Sequence, residues 1–228
     1  NAYENKMFMK RENIANRGIW TKKKRYILNV WNSEGVQYHE PKLKIMGIEA
    51  IKSSTPSSCR TALRDALKLI MNGTEKDLQR YVADFERKFK QLPLDEVSFP
   101  RSCNNIGNYH HPDMLYGPHC PIHVRGALLY NLQIKKKKLT HKYPLIQEGE
   151  KIKYIFLRTP NKLGTAGKNG TFQNVISFFR GLPTEFGLEQ DIDYDTQFQK
   201  AFLDPLSVVL DQIGWSARKR ATLEFMFR

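Results

Sequence analysis

Lys22-Lys23-Lys24-Arg25 runs without a break into Tyr26-Ile27-Leu28-Asn29-Val30-Trp31, and Trp20 stands just ahead of it. Nothing else in the chain constrains the fold as much. β-Branched and aromatic residues favour extended backbone, and four adjacent cations resist burial. In a strand, successive side chains point to opposite faces, so such a segment buries one face and leaves its charges in solvent. The sequence therefore predicts a basic strand over residues 20–31. A fixed row of cations suits a polyanion of regular charge spacing better than a compact ligand. The competing reading is an edge strand whose lysines deter aggregation.

The flanks are read from the same rules. Residues 6–13 alternate Met7 and Met9 against Phe8 and predict a short strand, and Arg17-Gly18 predicts a turn. Asn32-Ser33-Glu34-Gly35 predicts a hairpin turn with residues 36–39 returning, and residues 41–51 read as a connector of alternating cations and aliphatics. Thr55-Pro56 predicts a helix start, followed by the apolar face Ala62, Leu63, Ala66, Leu67 and Ile70, which Asn72-Gly73 stops. Thr74 and Asp77 open a second helix with Leu78, Tyr81, Val82, Phe85 and Phe89 on one stripe. The middle, residues 93–187, is rich in Pro, Gly and Asn; residues 122–132 and 152–157 read as strands, and the four lysines at 135–138 as a mobile tip. Residues 191–195 cap a last helix, with Pro205 expected to kink it and Gly214 to end it.

Thirty-seven Lys and Arg oppose 23 Asp and Glu in 228 residues, a formal net charge of +14. That excess points to nucleic acid or an anionic surface. Hydrophobic residues make up 40%, enough for a real core. No apolar run approaches the ~18 residues of a membrane span, and no secretory signal stands at the polar start. Three scattered cysteines, Cys59, Cys103 and Cys120, fit free thiols rather than a disulfide framework.

Catalytic signals are weak. The segment Gly164-Thr165-Ala166-Gly167-Lys168 lacks the spacing of a phosphate loop. Asp191, Asp193 and Asp195 suit helix capping better than paired metal ligation. Cys103, His110, His111, His119, Cys120 and His123 contain one pair at C-x-x-H spacing; the rest follow no zinc pattern, so no metal site is assigned. The signals for nucleic acid repeat. Lys23, Lys24, Arg25 and Tyr26 are joined by Lys52, Ser53 and Thr55 at a helix start, by Asn104 and Asn105 in a loop, and by Arg125 and Lys151 on expected strands.

At these residues the chain resembles a known family. The run W-T-K-K-K-R-Y-I-L-N-V-W-N-S-E-G-V-Q-Y-H-E (residues 20–40) is similar to the end of the palm in T-even-type phage family B DNA polymerases, including their K-K-R-Y motif at Lys23, Lys24, Arg25 and Tyr26. Segments 41–47 and 52–56 look like the passage into the thumb, and segments 104–106, 117–126 and 148–151 resemble thumb segments in the same order. The resemblance implies an α+β fold: a small antiparallel palm sheet (1–51), a mostly helical thumb with a β-containing tip (52–216) and a clamp-binding tail (217–228). It implies that Lys23, Lys24, Arg25 and Tyr26, with Lys52, Ser53, Thr55, Asn104, Asn105, Arg125 and Lys151, contact primer–template DNA. It further implies that Leu223, Phe225, Met226 and Phe227 dock on the sliding clamp. The family's Y-G-D-T-D carboxylate motif is not in this sequence, so the chain is expected to hold no cofactor and to be inactive alone. The two Mg ions of a complete polymerase would be held by an N-terminal polypeptide, in the cytoplasm of an infected bacterium. A free-standing duplex-binding protein is the alternative. One departure is His119, where the family pattern leads one to expect Lys, which weakens that position as a phosphate ligand.

Overall fold

The computed structural model describes residues 9–111, 115–166 and 171–219. In chain order the elements are β1 (Asn13–Lys22), β2 (Arg25–Ser33), β3 (Val36–Met46), α1 (Ser57–Asn72), α2 (Glu75–Phe89), α3 (Leu94–Val97), β4 (Phe99–Ser102), α4 (Ile106–Tyr109) and α5 (Ile122–Lys136). There follow β5 (Lys151–Phe156), β6 (Thr165–Ala166), β7 (Thr171–Phe172), β8 (Val175–Phe178), α6 (Tyr194–Phe198), a π-helical turn (Gln199–Leu203) and α7 (Asp204–Leu210). Two three-stranded antiparallel sheets, β1-β2-β3 and β4-β5-β8, stand beside these helices, so the fold is α+β. The contacts divide the chain into two compact units. One takes the described parts of Asn1–Lys52, Arg60–Asp84 and Asp204–Arg228; the other is Ser53–Cys59 with Phe85–Leu203.

In the first unit the β1-β2-β3 sheet is a meander of two tight hairpins. Glu34 (φ 52°) and Gly35 (φ 90°) join β2 to β3, and two successive left-handed residues match the right-handed twist of the strands they connect. One face of the sheet carries Ile19, Ile27 and Ile45 with Arg17, Asn29 and Leu43, because directly paired residues share a face. Ile27 is fully buried, and the Arg17 guanidinium donates to the Met71 carbonyl at the end of α1. Ala62, Leu63, Ala66, Leu67 and Ile70 are buried on α1 as their spacing predicts. At the start of α2 the Asp77 carboxylate accepts from the Thr74 amide and hydroxyl, while the Asp77 amide donates back to the Thr74 hydroxyl. That reciprocal cap holds the Asp77 carboxyl below its usual range.

In the second unit the sheet is a core element. Tyr154, Ile155 and Phe156 of β5 and all of β8 are buried, and Gly126 of α5 lies directly over Ser177. A Cβ added there would stand 2.5 Å from the Ser177 Oγ, so only glycine permits this approach. An aromatic cluster of Phe85, Phe89, Phe198 and Phe202 packs with ring centroids 4.9–5.9 Å apart. Asp193 caps α6 through the Thr196 amide, as the sequence predicts.

Several sequence expectations are corrected. Residues 9–12 form no strand; β1 begins at Asn13 and runs straight through Arg17-Gly18, where a turn is expected. The expected single strand over 20–31 is two strands, with the cations at the turn between them. The expected connector at 41–51 extends β3 to Met46. Residues 122–132 form helix α5, not a strand. Here residues 126–130 are all buried, so the apolar pattern carries no periodicity that could separate a buried strand from a buried helix. Pro205 stands in the first turn of α7, directly after a π-helical turn, and not inside one continuous regular helix. The chain widens into the π turn just ahead of it, which accommodates the missing amide and the crowded carbonyl four residues back.

Candidate nucleic-acid interface

Lys22 pairs with Arg25 across the end of the first hairpin, leaving Lys23 and Lys24 as the turn. Lys24 takes φ 62°, in the left-handed region that disfavours a side chain bearing a Cβ. Gly47, just beyond β3, closes under this turn. A Cβ on it would lie 2.6 Å from the Lys24 carbonyl oxygen and 2.9 Å from the Arg25 Cγ, and its own φ is +66°. The turn is therefore seated on a neighbour that only glycine can supply. All four cations are exposed, and among the described residues none is in an ion pair.

Aromatic surface adjoins the charges. Trp20 and Tyr26 are paired partners with ring centroids 6.4 Å apart, and Trp20 is 60% exposed. The indole lies across Gly18, where a Cβ would meet it at 2.6 Å. Register places Trp20, Tyr26, Leu28, Lys44 and Met46 on one face, opposite the face of Ile27. Lys42 Nζ stands 4.0 Å over the Tyr38 ring. Lysines that avoid carboxylates beside exposed aromatic rings form the combination that grips phosphates and stacks on sugars or bases. Trp20 and Lys44 join the turn through cross-strand register. Strand alternation counted from Tyr26 gives the face they share.

The other expected ligands lie in varied surroundings. Lys52 is paired with Glu49 at 2.6 Å. Ser53 is exposed, whereas Thr55 is only 4% exposed and α1 begins after it at Ser57. In the second unit Asn104 and Asn105 are exposed, but the amides of Asn105 and Ile106 donate to the Glu148 carboxylate at 2.6 and 2.9 Å. A carboxylate thus already fills the anion position of that loop. Lys151 is exposed at the start of β5, while Lys153 is paired with Asp95 at 2.6 Å. Arg125 lies on helix α5 rather than on a strand, with its guanidinium 5.6 Å over the Tyr116 ring. Arg101, which no motif singles out, donates to the Ser54 carbonyl at 2.7 Å and anchors the segment ahead of α1. Leu223, Phe225, Met226 and Phe227 lie outside the described residues.

The Cys and His residues of the middle segment do not assemble a ligand set. Among the described residues no group of three or more His, Cys, Asp or Glu side chains gathers around a common point. Burial pushes the Cys59 thiol up to about 12 and those of Cys103 and Cys120 to about 11. Burial, with Arg101 nearby, lowers His123. Among the described residues no helix is long and apolar enough to cross a membrane.

No protein-family model matches the chain. Two curated relatives do. The chain is 36% identical over 241 aligned positions to the DNA-directed DNA polymerase of Escherichia phage RB69, an alignment that takes in all of this chain and 25% of that protein. It is 32% identical over 214 positions to the DNA-directed DNA polymerase of Enterobacteria phage T4, covering 92% of this chain and 22% of the relative. This chain is homologous to phage DNA-directed DNA polymerases. The likeness read from residues 20–56 and the later segments is thus one of common descent along the whole chain. The chain spans about a quarter of the length of these polymerases.

Proposed function

We propose that this chain is the duplex-holding part of a phage replicative DNA polymerase. The Lys22–Arg25 turn is the observation that carries the reading: four exposed cations at a hairpin tip, without an ion pair among the described residues, flanked by Trp20 and Tyr26, in a homologue of polymerases. Cations at such a tip contact successive phosphates of the primer–template duplex, and Tyr26 and Trp20 supply apolar contact to sugars or bases. Ser53, Asn104, Asn105, Arg125 and Lys151 are secondary contacts in this reading, with Lys52 and Thr55 available after local rearrangement. Residues 1–51 are the end of a palm, 52–216 a thumb and 217–228 a tail that docks on the sliding clamp through Leu223, Phe225, Met226 and Phe227. The tail residues supply the apolar anchors such docking needs.

The carboxylates that bind two Mg ions belong, in this reading, to the remainder of the polymerase, which a separate polypeptide can supply in trans. The chain by itself then binds duplex and does not polymerise. Primer extension tests this. The chain mixed with that polypeptide should extend a primer that neither extends alone. A chain that binds duplex but adds nothing to synthesis would instead be a free-standing DNA-binding protein.

A further inference from the structure

A second group of four cations lies far along the sequence, at the C-terminal end of α5. Lys135 and Lys136 are the last helical residues, Lys137 is the C-cap, and Lys138 follows with φ 56°. The Lys138 amide donates to the Lys135 carbonyl at 3.1 Å and the Leu139 amide to the Ile134 carbonyl at 2.9 Å. These two bonds form a Schellman closure, whose left-handed position is ordinarily glycine. Here it is lysine. All four side chains are exposed, and among the described residues none has an ion-pair partner.

The sequence alone suggested a mobile tip, but the knuckle is built in. The Asn131 side-chain amide clasps the returning chain, donating to the Ile146 carbonyl at 2.9 Å and accepting from the Ile146 amide at 2.8 Å. Further along the loop, Lys142 and Tyr143 both bind the Glu185 carboxylate. Lys142 is thereby neutralised, and the four lysines before it are not. The helix dipole favours cations at this end. It acts mainly on the last turn and gives no reason for a lysine in the left-handed position. Four consecutive charges at a hydrogen-bonded helix end, without an ion-pair partner among the described residues, fit a polyanion whose phosphates line a ridge.

We propose that Lys135, Lys136, Lys137 and Lys138 form a second phosphate-contact site for the DNA duplex. It is separate from the Lys22–Arg25 turn and rests on the reading above that the chain binds duplex. The four lysine side chains offer charge and no amide for reading base edges, so their contacts are independent of base sequence.

Salt titration of duplex binding by the full chain, between about 50 and 200 mM, measures how many phosphates are neutralised. Replacing all four lysines by Gln should flatten the slope of log Kd against log salt by about two, and weaken binding about tenfold at intermediate salt. A control chain with Lys10, Lys76, Lys88 and Lys162 replaced by Gln loses the same charge at scattered exposed positions; its slope should change by less than one. Lys138→Gly relieves the backbone, so it should melt higher than the parent while binding duplex more weakly. A parent-like slope in the four-lysine variant, while Lys23, Lys24 and Arg25→Ala still flatten it, overturns the second site alone. Equal shifts in the two Gln variants overturn it as well, since net charge then explains the effect. A flat salt response in the parent removes duplex binding itself.

Discussion

The two three-stranded sheets of this protein are alike in size and pairing and opposite in use. In β4-β5-β8 most of β5 and all of β8 are buried, and the sheet is a floor for α5. In β1-β2-β3 one face packs inward through Ile27, while the other shows Trp20 and Met46 to solvent, and the sheet ends in a basic turn with no ion pair among the described residues. The β4-β5-β8 sheet gives its side chains to stability, the β1-β2-β3 sheet to display. Surface that a domain does not need for its own core is where a partner is to be sought.

Substitutions should separate the two roles. The largest effect is expected in the buried unit: Phe202→Ala removes a fully buried ring from the aromatic cluster and should cost about 3–5 kcal/mol in urea unfolding. Gly126→Ala forces a methyl against the Ser177 Oγ and should cost about 1–3 kcal/mol. Neither should change duplex affinity once the chain is folded. In the displayed sheet, replacing Lys23, Lys24 and Arg25 by Ala should weaken duplex binding about tenfold at moderate salt, with the melting temperature nearly unchanged and no shift in sequence preference. A large loss of stability in that variant would break the contrast. Gly47→Ala sharpens it, because the added methyl strikes the Lys24 carbonyl and misplaces the turn. Binding should drop several-fold, measured by anisotropy, at a stability cost of about 1 kcal/mol for the left-handed backbone.

The smallest effect concerns acid. Glu185 is held down to about 2, first by its hydrogen bond from Lys142, then by its own backbone amide and by Tyr143. A depressed carboxyl contributes stability above its ordinary value near 4.5, and that contribution fades as pH falls toward 2. Glu185→Gln should therefore lower stability slightly at pH 7 and flatten the acid limb of the curve, with the difference from the parent shrinking as pH falls toward 2.

What the sequence revealed depended on how local the signal was. The Thr74–Asp77 cap, the Glu34-Gly35 turn and the α1 stripe are set by residues within a few positions of one another, and each formed as its spacing predicts. The basic segment failed as a single strand because Lys24 adopts a left-handed turn without glycine, against Gly47 from beyond β3. Helix α5 was hidden because a helix buried on nearly every side has lost the period that betrays it. For the candidate interface, the K-K-R-Y cations were legible. The carboxylate of Glu148 in the Asn105 loop was not, since it depends on tertiary approach.

One consequence concerns how DNA could be watched arriving. Cys59 and Cys103 are buried, and Cys120 is the more accessible thiol, two residues ahead of α5. A dye attached there would sit at one end of a 15-residue helix whose far end bears the lysine knuckle, a built-in ruler of about 22 Å. Energy transfer to labelled oligonucleotides would then read the approach of the double helix without adding a foreign residue.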